Sequence, residues 1–450
     1  MFVANRGEIA VRIIRACHEL GIEAVLGTSE ADRDSLPARL ADRAVCIGPA
    51  PAAQSYLRHD TLVTAALGTG CQALHPGYGF LAERAALQRA CTEHQIAFIG
   101  PSAEAIESMG DKLSAIGLAR KAGVPVVPGS GKLHTPGETS AAAAEIGYPC
   151  LLKASAGGGG RGMRVVKGDA ELMSAYESAQ AEAQAAFGDA SVYLEKFIER
   201  ARHIEIQVMG DRHGGLVHLY ERDCSVQRRH QKLIEESPSP ALPSARRAEM
   251  AEAALALARD VGYFSAGTVE FVYDAAADRC YFLEMNTRIQ VEHPVTEAIT
   301  GIDLVQEQIR VAAGKRLSFK QGDVVPRGHA IECRINAEDP RQDFMPTPGG
   351  VTRWRPPVGA GLRLDTHCYE GYLVSPYYDS LIAKLIASGP ARPQVIDTLR
   401  QALGAFAIEG VSSTVPLHQA VLASAAFAQG SVTTRWLENS FLPEWQDRAN

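Results

Sequence analysis

The stretch Glu284-Met285-Asn286-Thr287-Arg288-Ile289-Gln290-Val291-Glu292 alternates polar and apolar side chains. In an extended chain, Glu284, Asn286, Arg288, Gln290 and Glu292 point one way, and Met285, Ile289 and Val291 the other. For a single strand the plain reading is a solvated face. A second feature weighs against it. Upstream, Thr268-Val269-Glu270-Phe271-Val272 puts a carboxylate inside an otherwise apolar strand. A regular hairpin centred on Ala277 sets Glu270 opposite Glu284 on the same face. Opposed carboxylates repel unless something positive lies between them. Two carboxylates and the Asn286 amide make a hard oxygen site suited to Mg²⁺, with the rest of its shell left to water and phosphate.

Four further stretches carry candidate chemistry. Lys153-Ala154-Ser155-Ala156-Gly157-Gly158-Gly159-Gly160-Arg161-Gly162 joins two expected strands, 150–154 and 163–166. A glycine run is commonly a turn, but it also lets backbone N–H groups cradle phosphate. No Lys-Ser/Thr pair follows the last glycine, so it is not a Walker A loop. Gly110-Asp111-Lys112 opens a helix, where a cation opposes the dipole unless an anion is held nearby; an ordinary surface lysine is an equal alternative. The run 221–232, ending in Gln227-Arg228-Arg229-His230-Gln231-Lys232, is dense in cations. Such a run is either a solvated face or a set of donors for small anions. In Glu332-Cys333-Arg334-Ile335-Asn336 a strand directs Glu332 and Arg334 to one face, compatible with an intradomain salt bridge.

These residues need a scaffold, and the pattern supplies one. Short apolar runs at 2–4, 24–28, 44–47, 72–74 and 97–99 read as strands, with amphipathic helices such as 8–20 between several of them. That alternation predicts a doubly wound parallel sheet. Its ligand loops follow the strands, as in Asn5-Arg6-Gly7 and His75-Pro76-Gly77-Tyr78-Gly79. A helix at 111–121 leads into a proline-bounded linker. Residues 127–197 read as a small lobe with a long helix near 170–187, and 198–450 as a larger α+β unit. The expected organisation is therefore α/β and α+β, with units at 1–126, 127–197 and 198–450.

At 450 residues, with 46% hydrophobic and 22% charged residues, the composition is globular. A net charge of −7 argues against nucleic-acid binding. Nine cysteines without a C-x-x-C pair suggest reduced thiols; Cys224 is read as packing. No apolar run reaches spanning length, and no signal peptide opens the chain, so a cytoplasmic location and no membrane association are expected.

Taken together, Ala4-Asn5-Arg6-Gly7-Glu8, His75 through Phe80, Met109-Gly110-Asp111-Lys112, the glycine loop, Gln227 through Lys232 and Glu284 through Pro294 resemble biotin carboxylase, of the ATP-grasp superfamily. The resemblance spans nearly the whole chain in family order. It implies an ATP-grasp fold whose 127–197 lobe is a lid closing over ATP. It implies that Lys112, Lys153, Gly159, Gly160 and His203 hold the phosphates or ribose side. Glu195 with the backbone of Lys196 to Ile198 would meet adenine, and Gln227 and His230 would line the nucleotide pocket. Glu270, Glu284 and Asn286 would bind Mg²⁺, with Mn²⁺ the alternative ion. Lys232, Arg288, Gln290 and the Val291 amide would hold bicarbonate, Glu292 would be its general base, and Arg334 would stabilise the biotin enolate.

The implied reaction is an ATP-dependent ligation: bicarbonate forms carboxyphosphate, which carboxylates biotin on a carrier. Two departures from the family pattern stand out. The first strand begins at the first residue, and Ala156 stands where the glycine run usually begins. Another ATP-grasp ligase is the first rival and lacks reason to carry Arg288 to Glu292 with Arg334. A regulatory protein that has lost catalysis is the second, and it would have been favoured by loss of Glu292, Lys232 or Arg334. No Met-Lys-Met biotinylation motif occurs, so the biotin carrier and carboxyltransferase are expected on other polypeptides. A homodimer is what the resemblance implies.

Overall fold

The computed structural model describes residues 1–154 and 163–447. Its N-terminal part holds a five-stranded parallel sheet in the order Arg43–Gly48, Val25–Ser29, Phe2–Val3, Ala73–His75, Ala97–Phe98. Helix Gly7–Glu19 follows the first strand and buries Ile9, Ile13, Ala16 and Cys17. The first strand is only two residues long, yet it is central, paired with Val25–Ser29 on one side and Ala73–His75 on the other. Strand order reverses there, so the loops after Phe2–Val3 and Ala73–His75 frame a crevice. The Asn5 amide closes it, donating to the carbonyls of Pro76 and Tyr78 at 2.7 and 2.8 Å. Gly77 has to be glycine: its φ is +64°, and a Cβ would stand 2.8 Å from Asn5 Nδ2.

The small lobe is a three-stranded antiparallel sheet, Arg164–Val166, Cys150–Ala154 and Val192–Lys196. Helices Pro136–Ile146 and Asp169–Phe187 cover it, around a core of its own that includes Leu133, Leu152, Leu172, Tyr176 and Leu194. The first helix opens on a capping box between Thr135 and Glu138. The glycine run, with Gly159 and Gly160, lies outside the described residues.

The scaffold of the site is an eight-stranded antiparallel sheet. Its order is Arg279–Asn286, Ser265–Asp274, Ala201–Gly210, Leu216–Arg228, Gln231–Ser237, His329–Asn336, Leu381–Gly389 and Leu362–Thr366. Strict alternation gives its first strands two different buried faces. Ile204, Ile206 and Val208, with Val269 and Phe271, join the core built on helix Ser244–Asp260. His203, Glu205 and Gln207, with Thr268 and Glu270, take the opposite face.

The hairpin pairs Glu270 with Glu284, but not by regular geometry. Its turn-proximal pairs, such as Phe271 with Phe282, are one residue out of step, and Leu283 is the bulged residue that restores the register. Phe282 and Met285 therefore both enter the core although three positions apart. The strand ends at Asn286 instead of running to Glu292.

Arg222 crosses this polar face with no solvent exposure. It makes five hydrogen bonds: Nε to Glu205 Oε1, one terminal nitrogen to Gln207 and Thr296, the other to Thr268 and Gln290. It thus ties three strands, the loop at 287–292 and helix His293–Thr300. We expect Arg222→Leu to lose about 3–5 kcal/mol of stability, since it takes one of two cations from the buried Glu205 carboxylate and leaves several buried acceptors unbonded. Exposed Arg58, paired with Asp60 at 2.6 Å, is the control: Arg58→Gln should leave the denaturation midpoint close to the parent's, because solvent screens the pair. Urea denaturation of the two variants makes the comparison.

Candidate active site

Register assembles the centre. Glu284 faces Glu270, Glu270 faces Glu205, and Glu205 faces Arg222, one row across four neighbouring strands. Lys232, from the edge of the hairpin Leu216–Arg228 and Gln231–Ser237, projects into it. Its Nζ lies 2.5 Å from Glu205, 2.9 Å from Glu270 and 2.6 Å from Glu292. His203 Nε2 lies 2.8 Å from the other Glu270 oxygen. Asn286 and Gln290 donate their amides to Glu270 at 2.8 and 2.7 Å.

The loop at 287–292 has no regular structure, so its side chains converge through tethers rather than strand alternation. Arg288 donates to Asn286 Oδ1 at 2.9 Å and to Glu83 of the N-terminal part at 2.9 Å. Glu83 also accepts the Thr287 N–H. Gln290 accepts from Arg222 at 2.7 Å. Glu292 stands at the N-terminus of helix His293–Thr300, its two oxygens divided between Lys232 and Arg334, the latter at 2.9 Å. Arg334 also holds Glu235 at 2.6 Å.

Electrostatics follow from this geometry. Burial pushes Glu292 up, but Lys232, Arg334 and Arg222 overcome it and hold the carboxyl well below the usual range. Burial is likewise outweighed at Glu270, by Lys232 and His203. Glu284 goes the other way, raised by burial and by the Glu270 charge opposite. It is the one acid of the row without a hydrogen bond or ion pair among the described residues. An unpartnered carboxylate beside a second one, with an amide within reach, fits a hard divalent cation. Burial raises Glu235 to about 7 even though Arg334 draws it down.

The remaining expected residues divide. Lys112 opens helix Lys112–Lys121, whose cap is Asp111, accepting from Ser114 N at 2.7 Å; Lys112 is close enough to bias Glu284. Lys153 and Glu195, on adjacent strands of the small lobe, form an ion pair. Lys196 turns to the carbonyl of Tyr148 at 3.1 Å, and Ile198 follows in the link to the central sheet. Gln227 is buried beside Lys232 in the register. His230 is exposed at the hairpin turn with φ +64°, close enough to Lys153 and His203 to feel their charges. The basic run splits: Lys232 enters the site, whereas Arg228 and Arg229 both pair with Asp343. Glu332 forms no salt bridge with Arg334; both its oxygens are buried and unpaired. Cys224 is buried and its thiol pushed well up by burial, in keeping with packing.

Glu205 and Glu235 escape the sequence reading, and Arg222, inside the basic run 221–232, is given no role of its own there. Glu205 and Gln207 carry the same signal as Glu270, polar residues alternating with Ile204, Ile206 and Val208 in one strand.

Comparison with known proteins decides the family. The model for the biotin carboxylase N-terminal domain matches residues 1–106, that for the carbamoyl-phosphate synthase L chain ATP-binding domain 111–320, and that for the biotin carboxylase C-terminal domain 332–439. Biotin carboxylase 1 of Bacillus subtilis is 54% identical over 439 residues, 97% of this chain and 98% of that protein. The chain belongs to the biotin carboxylase family. A pyruvate carboxylase subunit of Methanothermobacter thermautotrophicus is 52% identical over 97% of this chain and 89% of its own length. Among solved structures, the biotin carboxylase domain dimer of Hydrogenobacter thermophilus 2-oxoglutarate carboxylase, with MgADP, ADP and bicarbonate, has a TM-score of 0.91. It is 49% identical, covering 97% of this chain and 96% of that one. As a biotin carboxylase the chain is an ATP-dependent ligase with the ATP-grasp fold, using bicarbonate and Mg²⁺ to carboxylate biotin. No helix among the described residues is long and apolar enough to cross a membrane.

In this biotin carboxylase Lys232 should be worth most at neutral pH. Glu270 and Glu292 lie well below their unfolded values, so they stabilise the fold above about pH 4.5 and lose that contribution as pH falls through their folded values. Lys232→Met removes the largest charge opposing burial, leaving Arg334 and Arg222 at Glu292 and His203 at Glu270, so both acids should rise and lose their stabilising contribution when ionised. We expect a loss of about 3 kcal/mol or more near neutrality, shrinking toward about pH 5 as the acids take protons. Urea titrations at the two pH values test it; a loss independent of pH would contradict this account.

Proposed function

We propose that the reaction is divided among the residues of this centre as follows, and the observation that carries the proposal is Glu292 held between Lys232 and Arg334. Bicarbonate binds to Lys232, Arg288, Gln290 and the Val291 amide. In doing so it takes part of Lys232 away from Glu292, whose affinity for a proton rises as its cations are shared. Glu292 then removes the bicarbonate proton, and the oxygen attacks the γ-phosphate of ATP to give carboxyphosphate and ADP.

Lys112, Lys153, His203 and the glycines at 159 and 160 hold the phosphates, Lys153 exchanging Glu195 for a phosphate oxygen. Glu195 and the backbone from Lys196 to Ile198 meet adenine, and Gln227 and His230 line that pocket. Glu270, Glu284 and Asn286 hold Mg²⁺, which when bound neutralises charge on the phosphate oxygens. Asn286 would present its Oδ1, here accepting from Arg288, to the ion. Carboxyphosphate releases CO₂; the phosphate takes the ureido proton of biotin, and the enolate, opposed by Arg334, attacks CO₂.

The lobe at 127–197 is proposed to act as the lid over ATP. Biotin arrives on a carrier protein, and a carboxyltransferase passes the carboxyl on, most simply to an acyl-CoA. The naming of the Methanothermobacter relative for pyruvate carboxylase keeps pyruvate as the second acceptor. A homodimer in the cytoplasm completes the reading, supported by the dimeric form of the related Hydrogenobacter domain.

Three variants test the division of labour. Arg334→Ala should lose about a hundredfold in carboxylation of free biotin, the worth of one oxyanion donor of about 3 kcal/mol, while keeping much of its bicarbonate-dependent ATP cleavage. Glu292→Gln should lose both, because no carboxyphosphate forms. Phosphate release and fixation of labelled bicarbonate separate the two patterns, and equal loss of ATP cleavage in both variants would refute the assignment. Glu284→Gln should lower ATP turnover severely and shift its Mg²⁺ dependence with little effect on the denaturation midpoint, since it removes a repulsive neighbour and no core contact.

A further inference from the structure

Behind the loop that carries Glu292 lies a second buried lysine. Lys384, in strand Leu381–Gly389, has no solvent exposure. It stands opposite Arg334 on one neighbouring strand and Asp365 on the other, so all three project from one face. Its ammonium donates to the carbonyl of Val291 at 2.8 Å. It also lies 3.1 Å from Glu8 Oε1 and 3.8 Å from Asp365 Oδ2. Glu8 belongs to the first helix of the chain and accepts the hydroxyl of Tyr78. Asp365 is held by Arg363, which reaches Glu297, and Glu297 in turn binds Arg12 of that first helix.

Burying an ammonium is expensive, and the acids around Lys384 are what permit it. Neutralising those acids does not by itself require a bond to a main-chain carbonyl. The bond goes to Val291, and the peptide it belongs to ends in the Glu292 nitrogen. A carbonyl fixed at one end of a rigid peptide plane fixes the direction in which the next residue leaves. The loop has no ladder of its own to do this, so its geometry is whatever its tethers impose.

We propose that Lys384 is a positioning residue for bicarbonate chemistry. Anchored to the N-terminal helix through Glu8, it pins the Val291 carbonyl, the point where the Val291–Glu292 peptide meets the preceding peptide that bears the Val291 N–H, so that this N–H and the Glu292 carboxylate face the same anion. Lys384 touches no substrate and acts only through that peptide. The inference rests on Glu292 and the Val291 amide serving bicarbonate.

The test is Lys384→Met in the full chain, with the parent beside it, in bicarbonate-dependent ATP cleavage. The KM for bicarbonate should rise about tenfold or more, as a small misplacement at a reacting group demands, with the KM for ATP within about twofold of the parent. A merely structural role would lower kcat through the active fraction and leave both KM values alone. Where the single variant fails to fold, Lys384→Met combined with Glu8→Gln removes ammonium and facing carboxylate together and should show the same split. An unchanged bicarbonate KM in the folded variant overturns the inference while the parent's activity still supports the proposed function. A parent with no bicarbonate-dependent cleavage overturns both.

Discussion

A row of acids buried on one face of a sheet repels itself, and the manner of its neutralisation governs everything else at this centre. Glu284, Glu270 and Glu205 face one another across three strands. At such separations a pair of like charges costs about 4 kcal/mol even with strong screening by the protein. Arg222 and Lys232 enter the row from its far side and make burial tolerable. The cation that allows the acids to be packed, Lys232, is thus the one proposed to bind bicarbonate, and on that proposal folding and anion binding draw on the same charge. Glu284, farthest from Lys232 along the row, is left unpaired, which is where a divalent cation has something to gain.

The second constraint is that the loop at 287–292 is irregular and must be held from outside. Its tethers come from distant parts of the chain: Glu83 from the N-terminal part, Arg222 and Lys232 from the hairpin, Arg334 and Lys384 from the strands beyond residue 329. A loop so held is precise only when all these parts are docked, so the position of the proposed base reports on the assembly of the chain around it. Side chains on a regular strand would be less demanding but could not bring five functional groups around one point, since alternate residues are fixed about 7 Å apart.

Much of this is legible from residue types and spacing, and the failures have physical causes. The five N-terminal strands and the helix between the first two follow the sequence reading because period and punctuation agree there. The Glu270–Glu284 pairing is expected from a regular hairpin, whereas the structure reaches it through a bulge at Leu283; two departures from the assumed geometry cancel. The alternation from Glu284 to Glu292 reads as a continuous strand, but only the part to Asn286 pairs, because the next residues bind side chains instead of a neighbouring backbone. Arg334 and Glu332 share a strand face, and the salt bridges Arg334 makes go to Glu235 and Glu292, on other elements. Glu205 and Lys384 go unread although polar residues inside apolar strands are the signal used for Glu270. Partners that lie tens or hundreds of residues away cannot be inferred from local spacing.

The electrostatic state of Glu292, the proposed base, gives a reason for so much positive charge around it. A carboxylate flanked by two cations is a poor proton acceptor, and a free base at this position would be protonated by solvent rather than by substrate. With Lys232 and Arg334 in place, its basicity depends on other anions competing for those cations. Bicarbonate competes for Lys232 and the developing biotin enolate for Arg334, on the roles proposed above. Glu235, raised by burial to about 7, is the second carboxyl bonded to the same guanidinium, so Arg334 is shared between two acids before any substrate arrives. Basicity is then conferred by the substrate that needs it, which confines proton transfer to the moment when an anion occupies the site.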